Sequence, residues 1–117
     1  MRILFVDDEE LLRDCMYETL SEMGYDVVVE DDGREAIERF RDNPWYFDLV
    51  LTDMMMLGMT GDKVSESIHA IRPDVPVVVM TGTPYGLDGV VEAAGIRKIL
   101  PKPLTRTELG EALRDIR

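Results

Sequence analysis

The chain has 117 residues, 45% of them hydrophobic and 32% charged, the usual balance of a globular protein with one core. Its 24 acidic and 13 basic residues give a formal net charge of −11, which repels phosphate backbones and argues against direct binding of nucleic acid. Cys15 is the single cysteine, so no internal disulfide forms, and no apolar stretch has the length of a membrane span. These features predict one domain over residues 1–117, located in the cytoplasm and not inserted in a membrane.

Five apolar runs of strand length alternate along the chain with five segments of helical periodicity. The predicted strands cover residues 3–6, 27–29, 49–51, 75–80 and 96–100. Leu12, Met16 and Leu20 recur at helical spacing in the first of the other segments. Strands that are continuously apolar are typical of sheets buried on both faces, and helices between strands imply right-handed crossovers. The pattern therefore predicts a doubly wound α/β sandwich with five parallel strands.

Three finer predictions concern the helices. Asp32 followed by Glu35 matches a capping box and is expected to begin the second helix. Cys15 is expected on the apolar face of the first helix, as inert core. His69 is expected to have a structural role in the third helix, because no kinase-type histidine motif surrounds it.

Polar side chains follow four of the five predicted strands. They are Asp7 and Asp8 after the first strand, Asp53 after the third, Thr81 after the fourth and Lys102 after the fifth. Ligands of doubly wound sheets bind at the carboxyl ends of the strands, so these side chains are expected to meet. Each has an ordinary alternative, as a helix cap, a turn residue or a solvated charge. Their joint occurrence at successive strand ends favours a functional site.

The clustering of carboxylates has a predicted electrostatic consequence. Two carboxylates about 4 Å apart repel by roughly 4 kcal/mol at an effective dielectric of about 20, and a domain is stable by only about 5–15 kcal/mol. Either protons or a cation must neutralise the cluster, and Mg²⁺ fits because it prefers oxygen ligands. The site is then suited to a phosphoryl group, whose charge the metal and Lys102 would absorb.

The segments ILFVDDEE, DLVLTDMMM-x-GMTG, VVVMTG and LPKP resemble the receiver domain of two-component response regulators, over essentially the whole chain. The resemblance implies a flavodoxin-like (βα)5 sandwich with strand order 2-1-3-4-5. It implies a phosphorylated signalling domain rather than an enzyme, assisting only its own phosphotransfer and slow dephosphorylation. The phosphoryl group would come from a sensor histidine kinase or a histidine phosphotransfer domain. A homodimer through helix 4, strand 5 and helix 5 is one arrangement the resemblance suggests.

The same resemblance implies roles for individual residues. Asp53 would accept the phosphoryl group, while Thr81 and Lys102 would bind the phosphoryl oxygens. The ligands of Mg²⁺, or of Mn²⁺, would be Asp7, Asp8, Asp53 and the backbone carbonyl of Met55. Pro103 would follow a cis peptide bond. Met56 and Met59 are expected to fill apolar gaps beneath the loop after Asp53, because methionine packs into irregular spaces.

Two residues depart from the family's pattern. Leu57 stands where proline is common, and Ile99 where an aromatic switch residue is typical. Ile99 is stiff at χ1 and has no phenol, so the relay to the surface could be uncoupled from phosphorylation. A pseudo-receiver that only binds partners is therefore an alternative prediction.

Two further questions stay open at the level of sequence. A phosphatase of the haloacid dehalogenase type is disfavoured, because VDDEE lacks the spacing of its two aspartates. The segments GDKV, AGIRKIL and KPLTRTEL look like receivers of hybrid sensor kinases. Since no output domain follows Ile116, a stand-alone receiver or a piece of a larger protein is expected, with an unknown output partner.

Overall fold

A computed structural model describes residues 1–116, which form five strands alternating with five helices. The strands are Arg2–Val6 (β1), Asp26–Glu30 (β2), Leu49–Asp53 (β3), Val77–Thr81 (β4) and Lys98–Pro101 (β5). The helices are Glu10–Glu22 (α1), Gly33–Asp42 (α2), Gly61–Ile71 (α3), Asp88–Ala94 (α4) and Arg106–Asp115 (α5). Within residues 1–116, no helix combines the length and the apolar character that crossing a membrane requires.

The five strands form one parallel sheet in the order β2-β1-β3-β4-β5. This confirms the predicted doubly wound, flavodoxin-like architecture. Strand order reverses at β1, whose neighbours are β2 on one side and β3 on the other. Because all strands run in the same direction, their carboxyl ends lie along one edge of the sheet, with the ends of β1 and β3 side by side.

Hydrophobic cores cover both faces of the sheet. Along β1, Leu4 and Val6 pack with α2, α3 and α4, whereas Ile3 and Phe5 pack with α1 and α5. All four side chains are fully buried. The period of two in a strand explains this alternation, and it requires every position to be apolar when both faces are covered. Full burial of such a side chain contributes about 1.5–3 kcal/mol to stability.

The fourth and fifth strands were predicted to begin at residues 75 and 96, two residues before β4 and β5 begin in the structure. Val75 and Ile96 are buried, at 1% and 5% exposure, but they precede β4 and β5 instead of belonging to them. Pro76 has no N–H to donate, although its carbonyl accepts a hydrogen bond from the backbone of Val50. Apolar character at these positions therefore indicates burial in the core and not pairing in the sheet.

Two predictions about the helices are wrong in part or entirely. Cys15 is exposed rather than buried, and the residue of α1 that is fully buried is Leu20. Asp32 does cap α2, as predicted. Its side chain accepts a hydrogen bond from the backbone N–H of Arg34, however, and not from that of Glu35 as in a capping box.

A reciprocal capping box occurs instead at α5. The side chain of Thr105 accepts from the backbone N–H of Glu108, whose own side chain accepts from the backbone N–H of Thr105. Each residue therefore satisfies a donor that the first turn of the helix leaves free.

The edge of the sheet where the strands begin is tied together by Arg72. Its Nη1 donates to the carbonyls of Pro44 and Phe47 at 2.9 and 2.6 Å, and its Nε donates to Asp74 at 2.9 Å. Its guanidinium lies 4.5 Å from the ring centroid of Trp45. One side chain thus joins the end of α3 to the loop that leads into β3.

Candidate functional site

Three carboxylates converge at the edge where the strands end. Asp7 and Asp8 directly follow β1, and Asp53 is the last residue of the neighbouring strand β3. One carboxylate oxygen from each lies within 4.8 Å of the others. Asp7 is fully buried and Asp53 is 6% exposed, while Asp8 is half-buried. The structure therefore brings together the three acidic residues expected from the sequence.

Lys102 places an ammonium group against this cluster. Its Nζ lies 3.1 Å from Oδ2 of Asp53 and 3.8 Å from Oδ2 of Asp7. The backbone N–H of Lys102 donates to the carbonyl of Thr81, and the peptide bond to Pro103 is cis, as the resemblance implied. One ammonium among three carboxylates leaves two negative charges in excess when all are ionised. A divalent cation has the charge needed to balance them.

The carboxylate of Asp7 is incompletely satisfied. Its Oδ1 accepts a hydrogen bond from the backbone N–H of Glu9 at 2.9 Å, but its buried Oδ2 has no hydrogen-bond partner within residues 1–116. The ammonium of Lys102 is too distant, at 3.8 Å, to donate to it. Burial raises the pKa of Asp7, the hydrogen bond from Glu9 opposes this, and the charge of Asp53 adds to the rise. An unpaired buried oxygen of this kind costs about 1–3 kcal/mol, and it is the donor type that Mg²⁺ prefers.

Asp8 connects the site to the loop after β3. Its Oδ2 accepts a hydrogen bond from the backbone N–H of Leu57 at 2.9 Å, while the Leu57 side chain is exposed to solvent. Proline, the residue common in the family at this place, has no N–H and could not make this bond. The departure at Leu57 therefore supplies a contact between the acidic residues and the loop.

Thr81 is the last residue of β4 and is almost fully buried. In the β3–β4 register Asp53 pairs with Met80, so Thr81 lies one position beyond the acidic residue along the same edge. Its hydroxyl accepts from the backbone N–H of Thr83 at 3.1 Å and lies 3.4 Å from the Thr83 hydroxyl. The described contacts of this hydroxyl are thus with Thr83, and either hydroxyl can be the donor in that pair.

The methionines after Asp53 have two different environments. Met54 and Met56 are buried in the core and Met59 packs against it, which confirms the predicted packing roles of Met56 and Met59. Met55, whose backbone carbonyl is the expected metal ligand, has a side chain that is 67% exposed. Met55 follows the end of β3 by two residues.

Gly61 is a positioning residue that sequence reasoning did not identify. A Cβ at this position would lie 2.6 Å from the carbonyl oxygen of Asp53 and 3.0 Å from Cα of Met54. The backbone N–H of Gly61 donates to the carbonyl of Met54 at 2.8 Å. The first turn of α3 therefore packs directly on the backbone of Asp53, and only glycine permits this distance. The sequence signal, a glycine eight residues after Asp53, is equally typical of an ordinary turn.

Ile99 lies in β5 and is half-buried against the core on the side of α2, α3 and α4. It thus provides an aliphatic contact at the position where the family's aromatic residue is typical. No ring or hydroxyl is present there to change partners.

The family of response regulator receiver domains matches residues 3–114 of the chain. The chain belongs to this family. Receiver domains are signalling domains of two-component systems. The response regulator MprA of Mycobacterium leprae is 35% identical over 116 residues, which cover 97% of this chain and 50% of that protein. The transcription factor SKN7 of Chaetomium thermophilum is 32% identical over 114 residues, covering 97% of this chain and 15% of that protein. The chain therefore spans half or less of the length of these relatives.

Solved structures of receiver domains have the same fold. Chemotaxis protein CheY4 of Vibrio cholerae superposes with a TM-score of 0.92 at 27% identity, covering 99% of this chain and 98% of that one. The receiver domain of a sensor histidine kinase from Pseudomonas aeruginosa, solved with a magnesium ion coordinated in the active site cleft, gives 0.87 at 26% identity, with 97% and 94% covered. The response regulator TrrA of Thermotoga maritima, in complex with Mg²⁺ and BeF, gives 0.88 at 30% identity, with 99% and 98% covered.

Proposed function

We propose that this receiver domain accepts a phosphoryl group on Asp53, with Mg²⁺ held by the neighbouring carboxylates, and that its affinity for a partner changes as a result. The observation that carries the proposal is the buried Oδ2 of Asp7, which has no hydrogen-bond partner among residues 1–116 and lies in a cluster with Asp8 and Asp53. A structural cluster would be expected to satisfy each of its buried oxygens. A binding site leaves one free for its ligand.

The residues that would hold the metal are Asp7, Asp8, Asp53 and the backbone carbonyl of Met55. Their oxygen donors fit a hard divalent cation, Mg²⁺ or Mn²⁺. When bound, the cation supplies positive charge that offsets the carboxylates and the phosphoryl oxygens.

The transfer itself is carried by Asp53. A carboxylate oxygen of Asp53 attacks phosphorus, the phosphorus–nitrogen bond of the donor phosphohistidine breaks, and the electron pair leaves with the imidazole. The ammonium of Lys102 already lies beside Oδ2 of Asp53, so it can pair with a phosphoryl oxygen after transfer. The hydroxyl of Thr81 would turn from its contact with Thr83 to donate to a second phosphoryl oxygen. That donation would draw the end of β4 towards Asp53 and carry the change to the loop that follows.

The donor would be a sensor histidine kinase or a histidine phosphotransfer domain. A groove of about 420 Å³ opens beside Lys102 between α1 and the chain after β5. Its apolar lining includes Leu12, Met16 and Leu104. A donor helix seated there would bring its phosphohistidine to the edge that carries Asp53.

Phosphorylation is tested by incubating the protein with acetyl phosphate and Mg²⁺ and measuring its mass. We expect one added phosphoryl group, stable in acid and labile in base, absent with a chelator and absent in Asp53→Asn. Asp31→Asn is the matched control, because Asp31 follows β2 at the same edge but is exposed. An adduct that persists in Asp53→Asn, or none in the natural sequence, would refute the proposal.

The change in partner affinity requires a separate measurement. Beryllofluoride with Mg²⁺ should alter binding to a partner kinase or phosphotransfer domain in the natural sequence and leave Asp53→Asn unchanged. Equal affinity with and without beryllofluoride, in a protein that is phosphorylated, would identify the pseudo-receiver alternative suggested by Ile99.

A further inference from the structure

Two half-buried polar side chains of the helices, Arg13 in α1 and His69 in α3, contact the main chain of other segments. Nε2 of His69 lies 2.8 Å from the carbonyl oxygen of Val75, and this contact between α3 and the chain before β4 gives His69 the structural role that was predicted. Nη1 of Arg13 donates instead to the backbone carbonyl of Asp7 at 2.9 Å. Arg13 therefore contacts a residue of the candidate site.

Asp7 is held by hydrogen bonds at all but one of its polar groups. Its backbone N–H donates to the carbonyl of Glu30 at 3.1 Å, and its Oδ1 accepts from the backbone N–H of Glu9 at 2.9 Å. Because Arg13 donates to its carbonyl, only Oδ2 is left without a hydrogen-bond partner among residues 1–116. This oxygen lies on the side of the acidic cluster, 3.8 Å from Nζ of Lys102. The residue is thus fixed everywhere except at the atom available to a ligand.

The carbonyl that Arg13 contacts belongs to the peptide group between Asp7 and Asp8. A peptide group is planar, so the orientation of this carbonyl also sets the directions in which the main chain continues to the Cα atoms of both residues. Helix α1 begins only at Glu10, and no backbone N–H within residues 1–116 donates to the Asp7 carbonyl. Arg13 is therefore the described donor that fixes the peptide group joining two expected metal ligands.

Arg13 differs from most arginines of the chain in having no carboxylate partner within the described residues. Five arginines form ion pairs with carboxylates, namely Arg2, Arg39, Arg41, Arg72 and Arg106. Arg13 is half-buried, and its described hydrogen bond is the one to the Asp7 carbonyl. Its charge is thus placed beside the main chain of the site and is not part of a surface ion pair.

We propose that Arg13 is a positioning residue of the acidic cluster. Its guanidinium holds the peptide group between Asp7 and Asp8 in the orientation that presents both carboxylates to one divalent cation. This role rests on the binding of Mg²⁺ proposed above. Partners that orient metal ligands without touching the metal typically contribute about 10–100-fold to metal affinity.

The sign of the expected effect separates positioning from simple electrostatics. The positive charge of Arg13 repels Mg²⁺, so removal of the charge alone would lower the Kd for Mg²⁺. Removal of a positioning contact raises the Kd instead. An arginine that only stabilised the fold would change the free energy of unfolding and leave the Kd for Mg²⁺ where it was.

Isothermal titration of the metal-free chain with MgCl₂ measures the Kd. We expect Arg13→Met to raise it about tenfold or more, while α1 is retained because methionine is a good helix former. Arg13→Lys keeps the charge and a donor on a side chain without the guanidinium fork, so its Kd should lie between those of the natural sequence and Arg13→Met.

Arg34→Met is the matched control. Arg34 lies in the first turn of α2, which follows β2 at the same edge of the sheet, and its side chain is exposed with no described hydrogen bond within residues 1–116. The substitution removes the same charge without removing a contact to Asp7. Its Kd for Mg²⁺ should be unchanged or lower.

Chemical shifts of the metal-free protein test the contact itself. The carbonyl carbon of Asp7 and the amide nitrogen of Asp8 belong to the peptide group that Arg13 contacts. We expect both shifts to change in Arg13→Met, to return towards their natural values in Arg13→Lys, and to stay constant in Arg34→Met. This measurement requires neither Mg²⁺ nor a phosphoryl group.

A Kd for Arg13→Met equal to or below that of the natural sequence would overturn the proposal, and so would a Kd for Arg13→Lys above that of Arg13→Met. If Arg13→Met does not fold, Arg13→Gln, whose neutral side chain is shorter than arginine, replaces it with the same expectation. Equal Mg²⁺ binding by the natural sequence and Arg13→Met would refute the role of Arg13 and leave phosphorylation of Asp53 untouched. Absence of Mg²⁺ binding to the natural sequence would refute both proposals.

Discussion

Polar groups are hydrogen-bonded at the edge of the sheet where the strands begin, whereas a buried carboxylate oxygen lacks a described hydrogen bond at the edge where the strands end. Where the strands begin, Arg72 binds two carbonyls and a carboxylate, and the backbone N–H of Arg2 donates to Asp48 at 2.8 Å. Where the strands end, the buried Oδ2 of Asp7 has no hydrogen-bond partner among residues 1–116, and two further carboxylates lie beside it. The first edge uses polar groups to join segments of the chain. The second retains unfavourable charge, which is typical of a site whose ligand completes it.

The largest expected effect is on the edge where the strands begin. Arg72→Ala should lower the free energy of unfolding by about 3 kcal/mol, because it removes charge-assisted hydrogen bonds and leaves the carbonyl of Phe47 unsatisfied. Urea unfolding followed by circular dichroism measures this. Arg41→Ala, which removes only an exposed ion pair with Glu38, should cost less than about 1 kcal/mol. Equal effects of the two substitutions on the free energy of unfolding would contradict the stabilising role of Arg72 at the edge where the strands begin.

Mg²⁺ should act on the other edge alone. At a concentration of about 100 times its Kd, a ligand that binds only the folded state adds about 2.7 kcal/mol to the free energy of unfolding. We expect this gain in the natural sequence and in Arg72→Ala, but little of it in Asp7→Asn. Thermal unfolding with Mg²⁺ and with a chelator provides the measurement. A full gain in Asp7→Asn would show that the ion binds elsewhere.

Without metal, Asp7→Asn should raise the free energy of unfolding at neutral pH by about 1–2 kcal/mol, since it removes a buried charge with an unpaired oxygen. Burial is the largest cause of the raised pKa of Asp7, and the charge of Asp53 also raises it, against the hydrogen bond from Glu9 and the charge of Lys102. A raised native pKa means that the folded state holds this proton more tightly than the unfolded state. The resulting stability is present at low pH and is lost as the pH rises through the native pKa.

The advantage of Asp7→Asn over the natural sequence should accordingly be small in acid and grow as the pH rises through the raised pKa of Asp7. Unfolding in chelator across an acidic to neutral pH series tests the sign. An advantage that shrinks with rising pH would show that Asp7 is stabilised as a carboxylate.

The smallest effect is expected for a polar group that is satisfied although it lies near the ends of the strands. Thr105→Ala should cost about 0.5–1 kcal/mol by removing the cap of α5, and the response to Mg²⁺ should be unchanged. Hydrogen bonds from the side chain and backbone of Thr105 lower the pKa of Glu108, so the stabilisation by the Glu108 carboxylate is present at neutral pH and lost as the pH falls through the lowered pKa. Loss of the Mg²⁺ response in Thr105→Ala would extend the site beyond the carboxylate cluster.

The sequence was informative where a feature depends on local pattern. Continuous apolar runs specified the buried strands, and because parallel strands end at one edge, the positions of Asp7, Asp53 and Lys102 followed from their places at strand ends. Periodicity alone could not orient Cys15, since the apolar residues of α1 span more of its circumference than the core covers. It also could not separate burial from pairing at Val75.

Features that depend on contacts between distant segments were not predictable. The approach of Gly61 to the backbone of Asp53 and the hydrogen bond from Leu57 to Asp8 require the relative positions of separate elements. The contacts of Arg72 with Pro44 and Phe47 likewise join residues more than twenty positions apart. No residue pattern of a single segment encodes such distances.

Trp45, the single tryptophan of the chain, lies on the guanidinium of Arg72. Its fluorescence therefore reports on the edge where the strands begin. We expect its intensity and emission wavelength to stay unchanged when ions or phosphoryl groups bind at the opposite edge. An optical assay of phosphorylation needs an added fluorophore near the acidic cluster, for which the natural indole supplies an internal reference.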